Sequence, residues 1–281
     1  MKVIRRVVSK APRLLVVGLI VSGSACNLHN IHLTPGDQTS EPSPESGSRS
    51  ATTYRRIPIT SGATLVQAMH DRYAGRFKTL TMVQKTTVGL PSGGELKQTW
   101  YQASQFPGKT RIETDHAAKT GVLYVRDSVY SIAGGKLARA DTGRNDLWTL
   151  GYDVYAQSPE RTREALDRAG FDLSDFYETT WEGKPVYVVG AVEGDTMSKQ
   201  FWIERDRLVV VRMIGRSPQG RSDVRLSDYR RAGDAWIARE VEQYVNGKRR
   251  VREEYSEVAL NAKLSPVLFD PRKWSSAPHW R

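Results

Sequence analysis

The most restrictive feature of this sequence is a succession of short segments, from Leu80 to Val258, in which apolar and polar residues tend to alternate. A period of two is the pattern of a β-strand with one buried face. Turn-forming pairs separate several segments, among them Gly93-Gly94, Gly134-Gly135 and Asn246-Gly247. The pattern therefore predicts a mainly β (α+β) chain, whose antiparallel sheet of about eleven strands must curl to bury one face.

Two segments depart from this pattern and predict helices. After Ser61, an apolar side chain recurs at every fourth position from Leu65 to Phe77, which places these side chains on one face of a helix. A second segment has Ser158 as an N-cap, Pro159 at the first helical position and Gly170 just beyond the end. One helix therefore precedes the strands, and another interrupts them.

The first 25 residues have the composition of a secretion signal. Five Lys and Arg residues, with no acid among them, come before an apolar run at 14–21, and small residues follow at 22–25. The apolar run is much shorter than the ~20 residues that a membrane-spanning helix needs. We therefore predict a cleaved signal peptide over residues 1–25 and an exported protein.

Cys26 is the only cysteine of the 281 residues, which excludes a disulfide within the chain and a metal site built on several thiolates. The end of the signal resembles a lipobox, in which the cysteine is acylated and becomes the new N-terminus. Gly23 stands where that motif usually has leucine. We predict lipidation of Cys26, and the alternative is ordinary cleavage after Ala25 that leaves a free thiol.

The segment after Cys26 cannot form a core. Residues 26–53 are rich in Ser, Pro and Gly, which predicts a flexible tether, and residues 54–281 then form one domain.

The net charge is +11, and removal of the five signal charges leaves +6. A basic surface suits the phosphates of nucleic acids or of anionic lipids. Export favours the membrane as the partner and argues against nucleic acid.

Motifs for catalysis or metal binding are weak. Asp141-Thr142-Gly143 matches the aspartic protease tripeptide, but it follows a polar segment and has no second copy, so a surface turn is the better interpretation. His29 and His32 have a metal-like spacing, but they lie in the tether without a helix to align them. Neither Gly-x-Ser-x-Gly nor His-Glu-x-x-His occurs. We predict a non-enzymatic protein with no metal or cofactor.

Six segments together resemble the outer-membrane lipoprotein-sorting superfamily of LolA-like and LolB-like proteins: GKPVYVVG at 183–190, QFWI at 200–203, VRM at 211–213, NGK at 246–248, REEY at 252–255 and FDP at 269–271. The resemblance implies an incomplete antiparallel β-barrel, with helices covering its mouth and an apolar cavity that accepts acyl chains. It does not imply that this chain carries lipoproteins, because one fold supports many functions.

Within that resemblance, the candidates for lipid binding are inward-facing apolar and aromatic residues, which fit well around flexible chains. They are Met82, Trp100, Ile112, Leu123, Tyr130, Tyr187, Trp202 and Met213. An equally good interpretation is that they pack a solid core. Arg111 and Arg212 are charged residues in mainly apolar strands; our hypothesis is that one of them binds a headgroup at the cavity rim, although alternation could also point each into water.

The sequence thus predicts an envelope lipoprotein that binds the acyl chains of lipids or lipoproteins. Asn27 after the cysteine favours an outer-membrane protein that faces the periplasm, and a chain without the lipid would be periplasmic. The alternative is a protein-interaction or sensor module that uses the same concave face. The basic run at 248–252 fits anionic headgroups, an acidic envelope protein, or simply a solvated hairpin.

Overall fold

The structure is a computed structural model that describes residues 58–117 and 119–280. The predicted signal peptide at 1–25, Cys26 and the tether at 26–53 lie outside the described residues, and so does the start of the predicted domain at 54–57. The described part contains one large antiparallel sheet and a few helices, which confirms the predicted mainly β class.

The first six strands form a continuous meander, in which each strand pairs antiparallel with the next. They are β1 (Thr79–Gly89), β2 (Glu95–Gln105), β3 (Lys109–Asp115), β4 (Thr120–Val125), β5 (Ser128–Ala133) and β6 (Lys136–Thr142).

The second half of the sheet is another meander. It contains β7 (Phe176–Trp181), β8 (Lys184–Val189), β9 (Gln200–Glu204), β10 (Val209–Ser217), β11 (Gly220–Ser227), β14 (Glu240–Val245) and β15 (Lys248–Leu260). A separate ribbon pairs β12 (Arg230–Ala232) with β13 (Ala235–Ile237). The last strand, β15, pairs with β1 and joins the two halves into thirteen strands in the order β6-β5-β4-β3-β2-β1-β15-β14-β11-β10-β9-β8-β7. Since β6 and β7 do not pair, the sheet is open, as expected for an incomplete barrel.

Three α-helices lie on one side of this sheet: α1 (Gly62–Tyr73), α2 (Asp146–Gly151) and α3 (Pro159–Arg168). The caps confirm the sequence prediction, because Ser61 and Ser158 each accept a backbone hydrogen bond at the start of α1 and α3. Short 3-10 helices follow at Asp153–Tyr155, Pro266–Phe269 and Pro271–Lys273. Among the residues that the structure describes, no helix is long and apolar enough to cross a bilayer.

We call the side of the sheet that carries the helices the inner face. The apolar stripe of α1, with Leu65 and Met69, is fully buried there with Leu80 and Met82 of β1. The start of α1 approaches β8 so closely that a Cβ at Gly62 would lie 2.6 Å from the side chain of Val189. The segment that contains α2 and α3 connects β6 to β7 and thus links the two open edges across the inner face.

The opposite side of the sheet is the outer face, and the C-terminal segment 264–280 covers part of it. Leu268, Phe269 and Trp274 of this segment form a buried cluster with Leu123 of β4 and with Ile132 of β5. The approach is close at Gly121, where a Cβ would lie 2.7 Å from the indole ring of Trp274. The sheet therefore has apolar cover on both faces, which the sequence analysis did not anticipate.

Two further elements differ from the sequence expectation. The segment Phe176–Trp181 forms the edge strand β7, which the strand pattern did not predict. The cluster around Trp148 was not predicted to be helical, yet it forms α2 with Asn145 as its side-chain cap. Both elements are only six residues long, too short to show a clear period.

Candidate functional site

A small cavity of about 70 Å³ lies on the inner face, between the sheet and α2. Its lining is mainly apolar and aromatic: Gln84, Trp100, Ile112, Asn145, Leu147, Trp148, Met213, Val224, Val241, Gln243, Val251, Glu253 and Tyr255. These residues come from seven strands and from the cap and first turn of α2. The cavity is therefore a gap in the core of the sheet rather than a cleft between loops.

Strand alternation explains which residues reach this cavity. Every second residue of a strand points to the same face, so β15 contributes Val251, Glu253 and Tyr255. On the neighbouring strand, Val241 pairs with Glu253, and Gln243 pairs with Val251. The cavity wall is thus set by the sheet register.

The short helix α2 forms the lid. The Asn145 side chain accepts a hydrogen bond from the Leu147 backbone N–H at 2.9 Å, which fixes the start of the helix. The Trp148 ring lies 5.1 Å from the ring of Tyr124, centroid to centroid, and both belong to or pack on the apolar cluster around Trp100. The lid is small, because α2 has only six residues and one side-chain cap.

Polar groups in the wall are arranged in chains of hydrogen bonds. Gln84 Nε2 donates to Gln102 Oε1 at 2.6 Å, and Gln102 Nε2 donates to Ser104 Oγ at 3.0 Å. Gln243 Nε2 donates to Ser222 Oγ at 3.0 Å. Among the described residues, the buried Gln84 Oε1 has no hydrogen-bond partner, so the cavity wall offers one free acceptor.

Among the residues that the structure describes, Glu253 is the only acid in the cavity lining. Burial raises its pKa to about 7, and the opposing effect of the hydrogen bond from the Tyr255 hydroxyl is smaller. No lysine or arginine lines the cavity. At neutral pH a large fraction of Glu253 is therefore protonated, and the cavity carries little net charge.

A second, open groove of about 730 Å³ lies beside α2 and shares Met213 and Val224 with the cavity. Asp146 at the start of α2 and Lys199 before β9 both line this groove, and their Oδ2 and Nζ atoms are 2.6 Å apart. Lys199 also lies 4.5 Å from the centre of the Phe171 ring. This ion pair ties the lid to the sheet at the point where the groove meets the cavity.

Five of the ten predicted strand residues lie on the inner face. Trp100, Ile112 and Met213 line the cavity. Met82 and Tyr187 belong instead to the filled part of the core, where Tyr187 stacks on Phe176. The structure thus brings three of the predicted lipid-binding residues together.

The remaining five are on the outer face, where the sequence analysis placed none of the three apolar residues and left that alternative open for the two arginines. Leu123 and Tyr130 contact the C-terminal segment, and Trp202 alternates with Phe201 and Ile203, which are fully buried in the inner core. The predictions failed for these residues because both faces of the sheet have apolar cover. An apolar strand residue can therefore be buried on either face. A binding site at the cavity can therefore include only the inner-face residues.

Neither of the predicted headgroup arginines lies at the cavity. Arg111 is 3% exposed beneath the C-terminal segment: its Nε donates to Glu113 Oε1 at 2.9 Å, and its guanidinium stacks 3.5 Å from the centre of the Trp274 ring. Its other donors reach the carbonyl oxygens of Leu268 and Trp274. This arginine fastens the C-terminal segment to the sheet.

Arg212 is also on the outer face. Its Nε and Nη2 donate to the two carboxylate oxygens of Asp223, at 2.9 and 2.7 Å. The guanidinium lies 4.3 Å from the Trp181 ring and 4.8 Å from the Trp202 ring, measured to the ring centres. Arg212 is thus engaged in a bidentate pair with Asp223 and lies between two aromatic rings.

Sequence reasoning missed Glu253, Tyr255, Gln84 and the lid residue Trp148. A signal for the first two was present, because Val251, Glu253 and Tyr255 share one face of a strand by their spacing. The spacing does not show whether that face of the strand lies on the inner or on the outer face of the sheet. Trp148 had no such signal, since its helix is too short to show a period.

Comparison with known proteins gives the fold but no close relative. No protein-family model matches the sequence, and no similar curated protein was found. Among solved structures, a domain from Vibrio parahaemolyticus described as an outer membrane lipoprotein-sorting protein superposes with a TM-score of 0.55 and 11% identity. The match covers 76% of this chain and 97% of that one.

Two further structures give the same result. A DUF1329 family protein from Desulfovibrio piger matches with a TM-score of 0.52 and 15% identity, over 74% of this chain and 95% of that one. A LolA superfamily protein from Nitrosomonas europaea matches with a TM-score of 0.50 and 9% identity, over 75% and 98% of the two chains. These superpositions show that the chain has a LolA-like fold.

Proposed function

We propose that this protein is a non-enzymatic envelope protein that binds the acyl chains of lipids or lipoproteins on the inner face of its sheet. The observation that carries the proposal is the apolar cavity beneath α2, with Glu253 as its only acid. A role in the sorting of lipoproteins to the outer membrane would use the same site. The likeness to lipoprotein-sorting structures supports the carrier-like fold on which the proposal depends.

The cavity is too small in this structure to hold an acyl chain, so binding requires that the lid move. Sites for small molecules usually have volumes of about 300–1,000 Å³, whereas the cavity has about 70 Å³. The adjoining groove, with about 730 Å³, is large enough to receive a chain. We infer that an acyl chain enters from the groove between Met213 and Val224 and displaces Leu147 and Trp148 of α2.

The energy available from an acyl chain is sufficient for this movement. Burial of each methylene contributes about 0.8 kcal/mol, so ten buried methylenes contribute about 8 kcal/mol. Opening the lid exposes two large apolar side chains of α2, Leu147 and Trp148, which line the cavity. The exposure of each side chain costs about 1.5–3 kcal/mol. Relative to an acyl chain in water, the burial of the methylenes thus exceeds the cost of opening the lid, and the surplus is available to offset the entropy lost on binding.

We propose further that residue Cys26 is acylated and holds the domain at the outer membrane, facing the periplasm. The signal-like residues 1–25 and the composition of 26–53 support this location. A tethered protein would act as a receptor or as a resident lipid-binding module rather than as a freely diffusing carrier. If labelled fatty acid is incorporated equally by wild type and by Cys26→Ser, this part of the proposal is wrong.

The second candidate function is a protein-interaction or sensor module. The open groove favours it, because its lining includes both polar residues and the exposed Met197, which is 53% accessible. Methionine is well suited to surfaces that accept varied partners. In that case a partner segment would occupy the groove, and the cavity would stay closed.

Lipid extraction and mass spectrometry of the mature protein distinguish these functions. We expect stoichiometric non-covalent lipid in wild type, and loss of that lipid in Val241→Phe and Val224→Phe, which fill the cavity. The control is Val192→Phe, at a side chain that is 60% exposed. Thermal unfolding of each variant verifies that it is folded.

Absence of stoichiometric lipid from wild type after mild purification would contradict the proposal and favour the interaction module. Retention of lipid in both folded cavity variants would place the lipid elsewhere and contradict the assigned site.

A further inference from the structure

Three potential metal ligands meet on the outer face, on the opposite side of the sheet from the cavity. Glu113 is on β3, His116 is in the turn that follows it, and His279 belongs to the C-terminal segment. Glu113 Oε2 is 2.8 Å from His116 Nδ1 and 3.4 Å from His279 Nε2. One ligand atom from each of the three residues lies within 4.8 Å of the others.

These separations suit one metal ion. With metal–ligand distances of about 2.0–2.1 Å, two ligands of a tetrahedral zinc site are separated by about 3.3 Å. The distance between the Glu113 and His279 atoms already has this value, and the contact between Glu113 and His116 is shorter by half an ångström. The His116 side chain is 62% exposed and so has room to rotate and lengthen this contact, and the ligand atoms of His116 and His279 lie within 4.8 Å of each other.

The carboxylate is held in place by a second layer of contacts. Glu113 is 4% exposed, and its other oxygen, Oε1, accepts a hydrogen bond from Arg111 Nε at 2.9 Å. Arg111 in turn is fixed by the carbonyl oxygens of Leu268 and Trp274. Such outer contacts orient a ligand oxygen and are typical of metal sites. Oε2 is thus directed toward both imidazoles.

The two imidazoles are also positioned by packing. The rings of His116 and His279 are 4.6 Å apart and nearly perpendicular, and the Tyr101 ring lies edge-on to both, at 6.3 and 5.1 Å. The His279 side chain is 24% exposed, so solvent reaches the cluster from the side of His116. A bound ion would keep at least one position open for water.

We propose that Glu113, His116 and His279 form a site for a late first-row divalent cation, of which zinc is the representative. Two imidazole nitrogens and one carboxylate oxygen are a common set for zinc, whereas magnesium and calcium take oxygen ligands. This departs from the sequence expectation of no metal. The ion would fasten residues 264–280 to β3 and so stabilise the cover of the outer face.

Isothermal titration of the mature full-length protein with zinc chloride tests the site. We expect one zinc ion per chain, and at least a 100-fold loss of affinity in His116→Ala and in His279→Ala. The matched control is His70→Ala, since His70 lies on α1 and contacts Asp71 instead. A second control, the double variant His29→Ala and His32→Ala, excludes the histidines of the tether. Magnesium chloride is expected to give no binding signal.

Thermal unfolding provides an independent readout. A ligand that binds only the folded state raises the midpoint of unfolding, so zinc should raise it in wild type and in both controls but not in His116→Ala. The variants His116→Ala and His279→Ala both keep the Glu113–Arg111 pair, so both should fold. Wild-type affinity for zinc in His116→Ala and His279→Ala, or no stoichiometric binding by wild type at micromolar zinc, would overturn the proposal.

Discussion

Asp223 on the outer face and Glu253 on the inner face are both carboxylic acids in central strands of the same sheet, but their partners differ. Asp223 accepts hydrogen bonds from Arg212 at 2.7 and 2.9 Å and from Arg225 at 3.1 Å. Burial alone would raise its pKa, but the two arginines outweigh that effect, and the pKa is below the ordinary value. Asp223 therefore stays ionised.

Glu253 has no such partner. Its hydrogen bond comes from the neutral hydroxyl of Tyr255, and burial raises its pKa to about 7. The outer face thus keeps its charges by pairing them, whereas the cavity on the inner face loses its charge by taking up a proton. The difference shows how one sheet can present an ionic surface on one side and a nearly neutral, apolar cavity on the other.

The largest effect is expected from removal of the outer carboxylate. Asp223→Ala leaves Arg212 with its side chain only 12% exposed and without its bidentate partner. Loss of one partner from a buried pair costs about 3–5 kcal/mol, and the partial exposure of Arg225 reduces this to about 2–3 kcal/mol. Urea unfolding measures the loss.

The control for this variant is Asp228→Ala, which removes an exposed pair with Arg230 and should cost less than about 1 kcal/mol. Equal losses from the two variants would show that the outer charges contribute no more than surface pairs do.

The inner carboxyl group should show the opposite behaviour with pH. Its pKa is raised in the folded state, so below about pH 4.5 it is protonated in both states, and folding has no cost from its charge. As the pH rises from about 4.5 to about 7, the carboxyl ionises in the unfolded state but stays protonated in the folded state, so the folded state loses stability progressively, and above about pH 7 the loss is constant. Glu253→Gln should therefore match wild type at pH 4 and be more stable by about 2 kcal/mol at pH 8.

Urea unfolding at the two pH values checks this expectation, with Glu254→Gln as the exposed control on the same strand. A difference between Glu253→Gln and wild type that does not change with pH would contradict the account of the cavity as nearly neutral.

The lid ion pair gives a smaller effect. Lys199→Met removes the partner of Asp146, whose side chain is 4% exposed, and should destabilise the protein by about 1–2 kcal/mol. It should also speed the release of bound lipid, because the pair holds α2 to the sheet. Stopped-flow exchange of a fluorescent fatty acid measures the rate.

The control for the lid pair is Lys184→Met, which removes a 3.7 Å contact with Glu204 at a side chain that is 60% exposed. Unchanged exchange in Lys199→Met would show that the ion pair does not close the cavity.

The smallest effect is expected from Arg212→Lys. Lysine keeps the charge near Asp223 but loses the bidentate geometry and the stacking on Trp181, at a cost of about 0.5–1 kcal/mol. Lipid content should not change, because Arg212 is on the face opposite the cavity. Loss of lipid in this variant would support the headgroup role that the sequence suggested for Arg212.

Local signals in the sequence predicted local structure well. The caps of α1 and α3 and the Asn246-Gly247 turn were correct, because Ser61, Ser158 and the glycine act through their own neighbours. The open, mainly β sheet also followed from the pattern of strands and from the resemblance. The structure places Trp100, Ile112 and Met213 at the cavity on the inner face, and their role in lipid binding stays a prediction.

The sequence predictions failed where the face on which a residue lies depends on segments that are distant in the sequence. Leu123 and Tyr130 are apolar because residues 264–280 cover them, more than a hundred positions away in sequence. Glu253 is on the inner face because β15 pairs with β1 and β14, and this register cannot be deduced from the strand alone. The cluster of Glu113 with His279 is likewise made by the fold.

The central claim is that an acyl chain occupies the inner face beneath α2. Photo-crosslinking of the mature protein with a diazirine-labelled fatty acid, followed by peptide mass spectrometry, tests it most directly. We predict crosslinks at cavity residues such as Trp148, Met213 and Val251, and their loss in Val241→Phe. Crosslinks confined to the outer face, at Trp181 and Trp202, would contradict the account.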